Sequence, residues 1–212
     1  MNYFITGTDT GVGKTRVTCL LLDALRADGI DAVGYKPIST GDRSDGELLA
    51  VASGGLPLDE VNPVHLQNAL APAVAARLES RQVDCAAMIA GYQHLAEKHE
   101  VVLVEGAGGW EVPLADRYRI SDLAADLALP VIVVAANRLG ALNHVLLTAA
   151  AIRARDLVCA GIYLNQLEDE MDTAMITNKG VIEELTGLAL LDHLIHGQDF
   201  IELPPFQQAT GG

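Results

Sequence analysis

The segment Gly7-Thr8-Asp9-Thr10-Gly11-Val12-Gly13-Lys14-Thr15 follows three strand-forming residues, Tyr3-Phe4-Ile5, and leads into an amphipathic stretch from Val17 to Leu25. A short apolar strand, a glycine-rich turn and a helix that opens on Lys-Thr form a phosphate cradle. Turn amides point inward, the helix start adds positive potential, Lys14 brings a full charge, and the Thr15 hydroxyl suits Mg²⁺. A chain that opens this way is expected to bind a nucleoside triphosphate. The cradle is irregular, because five residues rather than four separate Gly7 from Gly13, and Thr8 stands where the common pattern has its first glycine.

Further near-continuous apolar runs lie at 32–35, 101–104, 131–136 and 160–164. Runs of this kind read as strands buried on both faces, not as half-exposed ones. Helical patterns at 16–27, 46–52, 86–98, 121–127, 143–155 and 173–186 separate them. This alternation predicts one α/β domain over residues 1–206: a doubly wound, mostly parallel sheet with helices on both faces, of the phosphate-loop NTPase type. The stretch 54–72 carries Pro57, Pro63 and Pro72 and reads as a long irregular connection. The polar, glycine-rich residues 207–212 read as a flexible tail.

The net charge of −14 argues against nucleic acid as a partner and disfavours an anionic membrane face. It leaves ATP open, since the cradle makes its own local field. Three widely spaced cysteines give neither a zinc pattern nor a disulfide framework. With no apolar leader and no run long enough to span a bilayer, a cytoplasmic location is expected.

Ligands of doubly wound sheets sit beyond the carboxyl ends of the strands. Three more polar groups fall at such ends. Lys36 precedes Pro37, which keeps it extended. It reads equally as a lysine reaching toward the cradle and as a surface lysine on a turn. Glu105 follows the run 101–104 and precedes Gly106, Gly108 and Gly109. A carboxylate at the end of a buried strand needs a cationic partner, and Mg²⁺ at the cradle is the natural one. A loop or helix cap is the alternative. Asp45 lies in Ser44-Asp45-Gly46-Glu47, which by spacing alone is better read as a capping box.

The irregular cradle, Tyr35-Lys36-Pro37, Ser44-Asp45, the run Val104-Glu105-Gly106-Ala107-Gly108-Gly109-Trp110 and Leu139-Gly140-Ala141-Leu142-Asn143-His144 stand here in one order. Together they resemble the dethiobiotin synthetase family, over nearly the whole chain to about residue 191. The resemblance implies a ligase of biotin biosynthesis that uses ATP, Mg²⁺ and CO₂. Its reaction closes a ureido ring on 7,8-diaminononanoate through a carbamate and a carbamic–phosphoric anhydride.

It also implies site residues. Nucleotide contacts are expected from Thr10, Gly11, Val12, Gly13, Lys14, Thr15 and Arg16, with Glu105 and Asn165. Metal ligands are expected to be Thr15, Asp45 and Glu105. Lys14 and Lys36 are the expected catalytic cations, with Thr40 beside them. Substrate contacts are expected from Thr40, Gly108 and Asn143, the last contributed by the other chain of a homodimer. An amide such as Asn165 can read the adenine edge, though a turn asparagine is an equal reading. Asn143 reads alternatively as a plain helix cap, and His144 as a structural histidine. Gly11 stands where some relatives carry an acid. Asn178 or Lys179 stands where several carry a tyrosine at the substrate carboxylate, and the segment from Glu202 to Phe206 is a candidate border of the base.

Two other functions compete. A partitioning-type (ParA/MinD-like) switch ATPase would be a binding module, but its cradle usually carries an extra lysine that Thr8-Asp9-Thr10 lacks. A synthetase acting on corrin-like carboxylates would need a glutamine-cleaving domain for which this chain is too short.

Overall fold

Alternation along each strand divides the apolar side chains between two cores. Phe4, Val102, Val104, Val131 and Val133 belong to one. Their neighbours Tyr3, Ile5, Leu103, Ile132 and Val134 belong to the other. A sheet that is apolar on both faces must be covered on both. The computed structural model, which describes residues 2–203, shows that arrangement.

The chain order is β1 Tyr3–Gly7, α1 Lys14–Ala27, β2 Ala32–Tyr35, β3 Ile38–Thr40, α2 Ser44–Ala52, α3 Leu58–Val61, β4 Val64–Leu66, α4 Pro72–Leu78 and α5 Cys85–Lys98. It continues with β5 Val101–Gly109, β6 Pro113–Ala115, β7 Tyr118–Arg119, α6 Ile120–Leu127, β8 Val131–Ala136, α7 Ala141–Arg153, β9 Cys159–Asn165, α8 Thr173–Thr186 and β10 Leu190–Leu194. Six strands form the main sheet in the order β10-β9-β8-β1-β5-β2. All of its pairings are parallel. Helices α1 and α2 cover one face through Val17, Leu21, Leu25 and Leu49. Helices α5 to α8 cover the other through Met88, Leu95, Leu123, Val145, Ile152 and Ile182.

Several boundaries differ from the sequence expectation, each for a physical reason. Strand β5 does not stop before Glu105; it runs to Gly109, because Ile5 pairs with Glu105 and Gly7 with Gly109. The stretch 54–72 is not irregular. It holds α3 and β4 and ends at the start of α4, and β4 pairs with β3 in a small parallel sheet. Three prolines there mark element starts, with Pro72 in the first turn of α4. The capping box at Ser44 does not form. Ser44 is already helical, and its hydroxyl donates to Asp42 Oδ1 at 2.6 Å. Helix α7 begins two residues earlier than expected, with Gly140 as its N-cap, so Asn143 lies inside the first turn. Strand β10 was not anticipated, since Asp192 and His193 interrupt its apolar pattern. It is an edge strand with most of its residues only partly buried. The expected tail, 207–212, lies outside the described residues.

Candidate active site

The loop between β1 and α1 owes its shape to glycine. Gly11 and Gly13 take φ values of 72° and 89°, a region that costs other residues energy. A Cβ at Gly13 would also overlap the Asn165 amide. Helix α1 has Gly13 at its N-cap and no side-chain cap, so its first amides keep their donor capacity for a ligand.

Lys14 is buried, and its Nζ reaches back over the loop to Asp9 O at 3.3 Å. Burial, then the nearby Lys36 charge, lower its pKa to about 8, against the pull of Glu105, Asp45 and Asp9. The unfolded chain therefore binds a proton that the folded one releases between about pH 8 and the ordinary lysine value of 10.5. Stability should rise with pH across that window, all else equal. Thermal melts of the wild type and Lys14→Met from pH 7.5 to 10 check this. The wild type should gain on the variant as pH rises; parallel curves would refute the assignment.

Lys36 leaves β2 in the extended form that Pro37 requires. Its N–H donates to Val61 O at 2.7 Å, and its carbonyl accepts from Asn62 Nδ2 at 2.8 Å. The side chain turns inward and is 3% exposed. Its Nζ lies 2.6 Å from Glu105 Oε1, 2.8 Å from Asp45 Oδ2 and 3.4 Å from Gly106 O. Of the two readings open from sequence, the surface lysine is excluded. Burial, the largest single influence, favours the neutral amine. The two carboxylates together outweigh it and hold the pKa above the ordinary lysine value. Burial likewise pulls the Asp45 carboxyl up, but Lys36 and the hydrogen bonds from Lys36 and Thr15 hold it below its usual range.

Thr15 Oγ1 lies 2.8 Å from both Asp45 Oδ1 and Glu105 Oε1. A hydroxyl has one proton, so it can donate to only one of them at a time. Glu105 is fully buried, and its Oε2 has no hydrogen-bond partner. Three hard oxygens that crowd one another, with a stranded carboxylate oxygen, fit a Mg²⁺ ion. Asp45, which spacing alone assigned to a cap, joins them because α2 packs tightly: a Cβ at Gly46 would come within 2.8 Å of Asn62 Cβ.

Thr15 and Asp45, with Lys14 and Lys36, border a cavity of about 600 Å³. Thr10, Gly11, Gly13, Lys14, Thr15, Lys36, Thr40, Asp45 and Gly108 all line it, as does the segment from Ala69 to Pro72. Gly108 has φ 66°, and a Cβ there would lie 2.9 Å from Val112 Cγ2. Val12 is buried beneath the loop.

Five expected site residues are not in the cavity wall: Val12, Arg16, Glu105, Asn143 and Asn165. Asn165 is fully buried, its Nδ2 donating to Val12 O at 2.9 Å and its Oδ1 accepting from Arg16 at 2.9 Å. Arg16 spends its remaining bonds on Ile195 O and Gln198 O. Asn143 is exposed on α7. Asn178 is buried and donates to Asn137 Oδ1 and Arg138 O, which makes it a packing group; Lys179 is exposed. Of the segment from Glu202 to Phe206, only Glu202 and Leu203 fall among the described residues.

Asn62 escaped the sequence reading. Its side chain bonds the Lys36 carbonyl, Ser39 Oγ at 2.7 Å and Arg43 Nε at 3.2 Å, which ties the lysine strand to the start of α2. The only signal was an asparagine between Val61 and Pro63 in a stretch taken for a loop.

Solved structures with the same fold include the septum site-determining protein MinD of Pyrococcus horikoshii with Mg-ADP. It has a TM-score of 0.58 and 16% identity, over 92% of this chain and 82% of that one. The cell division protein FtsY of Thermotoga maritima also has a TM-score of 0.58 and 16% identity, over 96% of this chain and 64% of that one. At such identity the likeness is one of fold. A family model described as "AAA domain" matches residues 1–195. Among curated proteins, the ATP-dependent dethiobiotin synthetase BioD of Akkermansia muciniphila is 51% identical over 95% of both chains. The enzyme of the same name from Anaeromyxobacter sp. (strain Fw109-5) is 47% identical over 96% of this chain and 93% of that one. With this likeness along nearly its whole length, the chain belongs to the ATP-dependent dethiobiotin synthetase family.

Proposed function

We propose that the cavity carries out the family's reaction with the residues named above: 7,8-diaminononanoate, CO₂ and ATP give dethiobiotin, ADP and phosphate. One amine adds to CO₂ and loses a proton, leaving a carbamate. A carbamate oxygen forms a bond to the γ-phosphorus as the bond to ADP breaks. The second amine then attacks the carbonyl carbon of this anhydride and expels phosphate, closing the ring.

The observation that carries the reading is the gathering of Lys14, Lys36, Thr15 and Asp45 at one cavity, with the buried Glu105 bonded to Lys36 and Thr15. Phosphoryl transfer asks mainly for positioning and charge neutralisation. The loop amides and Lys14 would hold the phosphates. Lys36 would offset charge on the transferring oxygens. Thr40 and Gly108 would border the diamine. Thr15, Asp45 and Glu105 would hold Mg²⁺, which when bound neutralises phosphate charge.

A homodimer is part of this reading. Asn143 and Leu147 are one helical turn apart on α7, and Leu139 and Leu147 are 82% and 63% exposed. An exposed apolar strip beside Asn143 is what a partner chain would cover, bringing Asn143 to the neighbouring cavity. Among the described residues no helix is long and apolar enough to cross a membrane. We place the enzyme in the cytoplasm, where its ATP is found.

Coupled ADP-release assays test the reaction. ADP and phosphate should appear only when diamine and bicarbonate are both present. Equal ATP turnover without the diamine would favour a switch ATPase.

A further inference from the structure

Lys36 stands between the end of β2 at Tyr35 and the start of β3 at Ile38, and the pairing of β2 with β5 ends at Tyr35. The segment after α3 holds its backbone instead. Lys36 N–H donates to Val61 O at 2.7 Å, and Lys36 O accepts from Asn62 Nδ2 at 2.8 Å. The same Nδ2 donates to Val64 O at 3.3 Å. Asn62 Oδ1 accepts from Ser39 Oγ at 2.7 Å and from Arg43 Nε at 3.2 Å.

The Asn62 amide can sit only one way. A guanidinium accepts nothing, so the end that faces Arg43 is oxygen, and the end that faces two carbonyls is nitrogen. Two donated and two accepted bonds then fill its capacity. The side chain is fully buried and lines no part of the cavity. With no donor or acceptor left for a ligand, it acts on the site through its partners.

Those partners lie on both sides of the lysine–carboxylate cluster. Arg43 is the N-cap of α2, two residues before Asp45, and a second Arg43 nitrogen donates to Asn62 O at 2.6 Å. Gly46 packs on the same asparagine, since a Cβ there would lie 2.8 Å from Asn62 Cβ. One side chain therefore touches both the strand exit that carries Lys36 and the helix start that carries Asp45. A lysine stem is long and flexible, so its ammonium finds a fixed place only if the backbone beneath it is held. The 2.8 Å contact of Lys36 Nζ with Asp45 Oδ2 spans the two elements that Asn62 braces.

We infer that Asn62 is a positioning residue for phosphoryl transfer: it sets the spacing between the exit of β2 and the start of α2, and so keeps the Lys36 ammonium between Asp45 and Glu105 in the cavity wall. The inference rests on the reading of Lys36 as the cation of that step.

A double-mutant cycle of Asn62→Ala and Lys36→Met tests it in diamine-dependent turnover, with thermal melts to confirm folding. Asn62→Ala alone should lower kcat about 30-fold while the KM for ATP moves less than about threefold. In the Lys36→Met background the same change should cost less than about threefold, because the ammonium it positions is gone. An asparagine that only supports the fold would cost the same factor in both backgrounds, and that result overturns the proposal. So does a folded Asn62→Ala with wild-type kcat. A second readout needs no substrate. A buried ammonium held by carboxylates exchanges its protons slowly, so Lys36 Nζ should give a ¹H–¹⁵N signal in lysine-labelled protein, identified by its loss in Lys36→Met. That signal should shift or vanish in Asn62→Ala. Its absence from the wild type, or an unmoved signal in the variant, overturns the proposal. If Asn62→Ala does not fold, Asn62→Asp replaces it in both experiments under the same criteria. It keeps the size of the side chain and loses the hydrogens donated to Lys36 O and Val64 O. A wild type without diamine-dependent turnover would strike the proposed reaction, and the ammonium signal would still decide whether Asn62 places Lys36.

Discussion

Lys36→Met is expected to lower kcat by about 10³-fold while the KM for ATP moves less than about threefold. The ammonium sits between Glu105 and Asp45 in the cavity wall, whereas Lys14 reaches back over the phosphate loop to the Asp9 carbonyl. Its charge matters most when negative charge spreads over the transferring oxygens, so its loss should appear in turnover more than in ground-state binding. The same change strands a fully buried carboxylate, Glu105. Breaking such a pair costs up to about 3 kcal/mol here, because Thr15 and half-exposed Asp45 soften the loss.

A second readout separates the two effects. Mg²⁺ should raise the melting temperature of Lys36→Met more than that of the wild type, since the ion can take the place of the missing cation among the carboxylates. A variant with wild-type kcat would remove Lys36 from the chemistry. Lys36 should add little pH dependence near neutrality. Its pKa is raised above the unfolded value, so its stabilisation is complete below about pH 10.5 and is lost only as pH rises through the folded pKa.

Glu105→Gln is expected to raise the Mg²⁺ concentration for half-maximal turnover at least about tenfold and to lower kcat about 10²-fold. The amide keeps the shape but brings no charge to a position where oxygen lies 2.8 Å from Thr15 Oγ1 and 2.6 Å from Lys36 Nζ. Its oxygen would take the Oε1 place before Thr15 and Lys36, which leaves an NH₂, unable to ligate a cation, where the partnerless Oε2 stands. Nucleotide affinity in the absence of metal should change little, because Lys14 and the loop amides are untouched. A magnesium titration of turnover, set beside nucleotide binding in a chelator, makes the comparison. An unmoved magnesium midpoint would take Glu105 out of the metal site.

Legibility of the site followed chemistry more than position. Lys14 and Thr15 stand in a local motif whose strand, turn and helix run from Tyr3 to Ala27, so their placement follows from adjacent sequence. Glu105 was recognisable because a carboxylate at the end of a valine-rich run needs a reason. Asp45 was hidden by Ser44 and Glu47, which together imitate a cap. Only the close packing of α2 on Asn62 turns its carboxylate toward Thr15 and Lys36. The second layer was not visible at all. The bonds of Asn62 to Lys36, Ser39 and Arg43 span up to 26 positions, and those of Arg16 to Asn165, Ile195 and Gln198 span 149 to 182.

Hydrophobic periodicity is local, and so the parallel, doubly covered sheet and the phosphate loop could be read directly from the order of residues. Patterning of that kind says which side chains must leave water, and it carries no information on which distant polar groups will meet. The lysine–carboxylate cluster and the guanidinium bridge form only when folding brings strand ends together. Each depends on charges and donors from elements far apart in the chain, so tertiary packing alone decided their partners and their protonation.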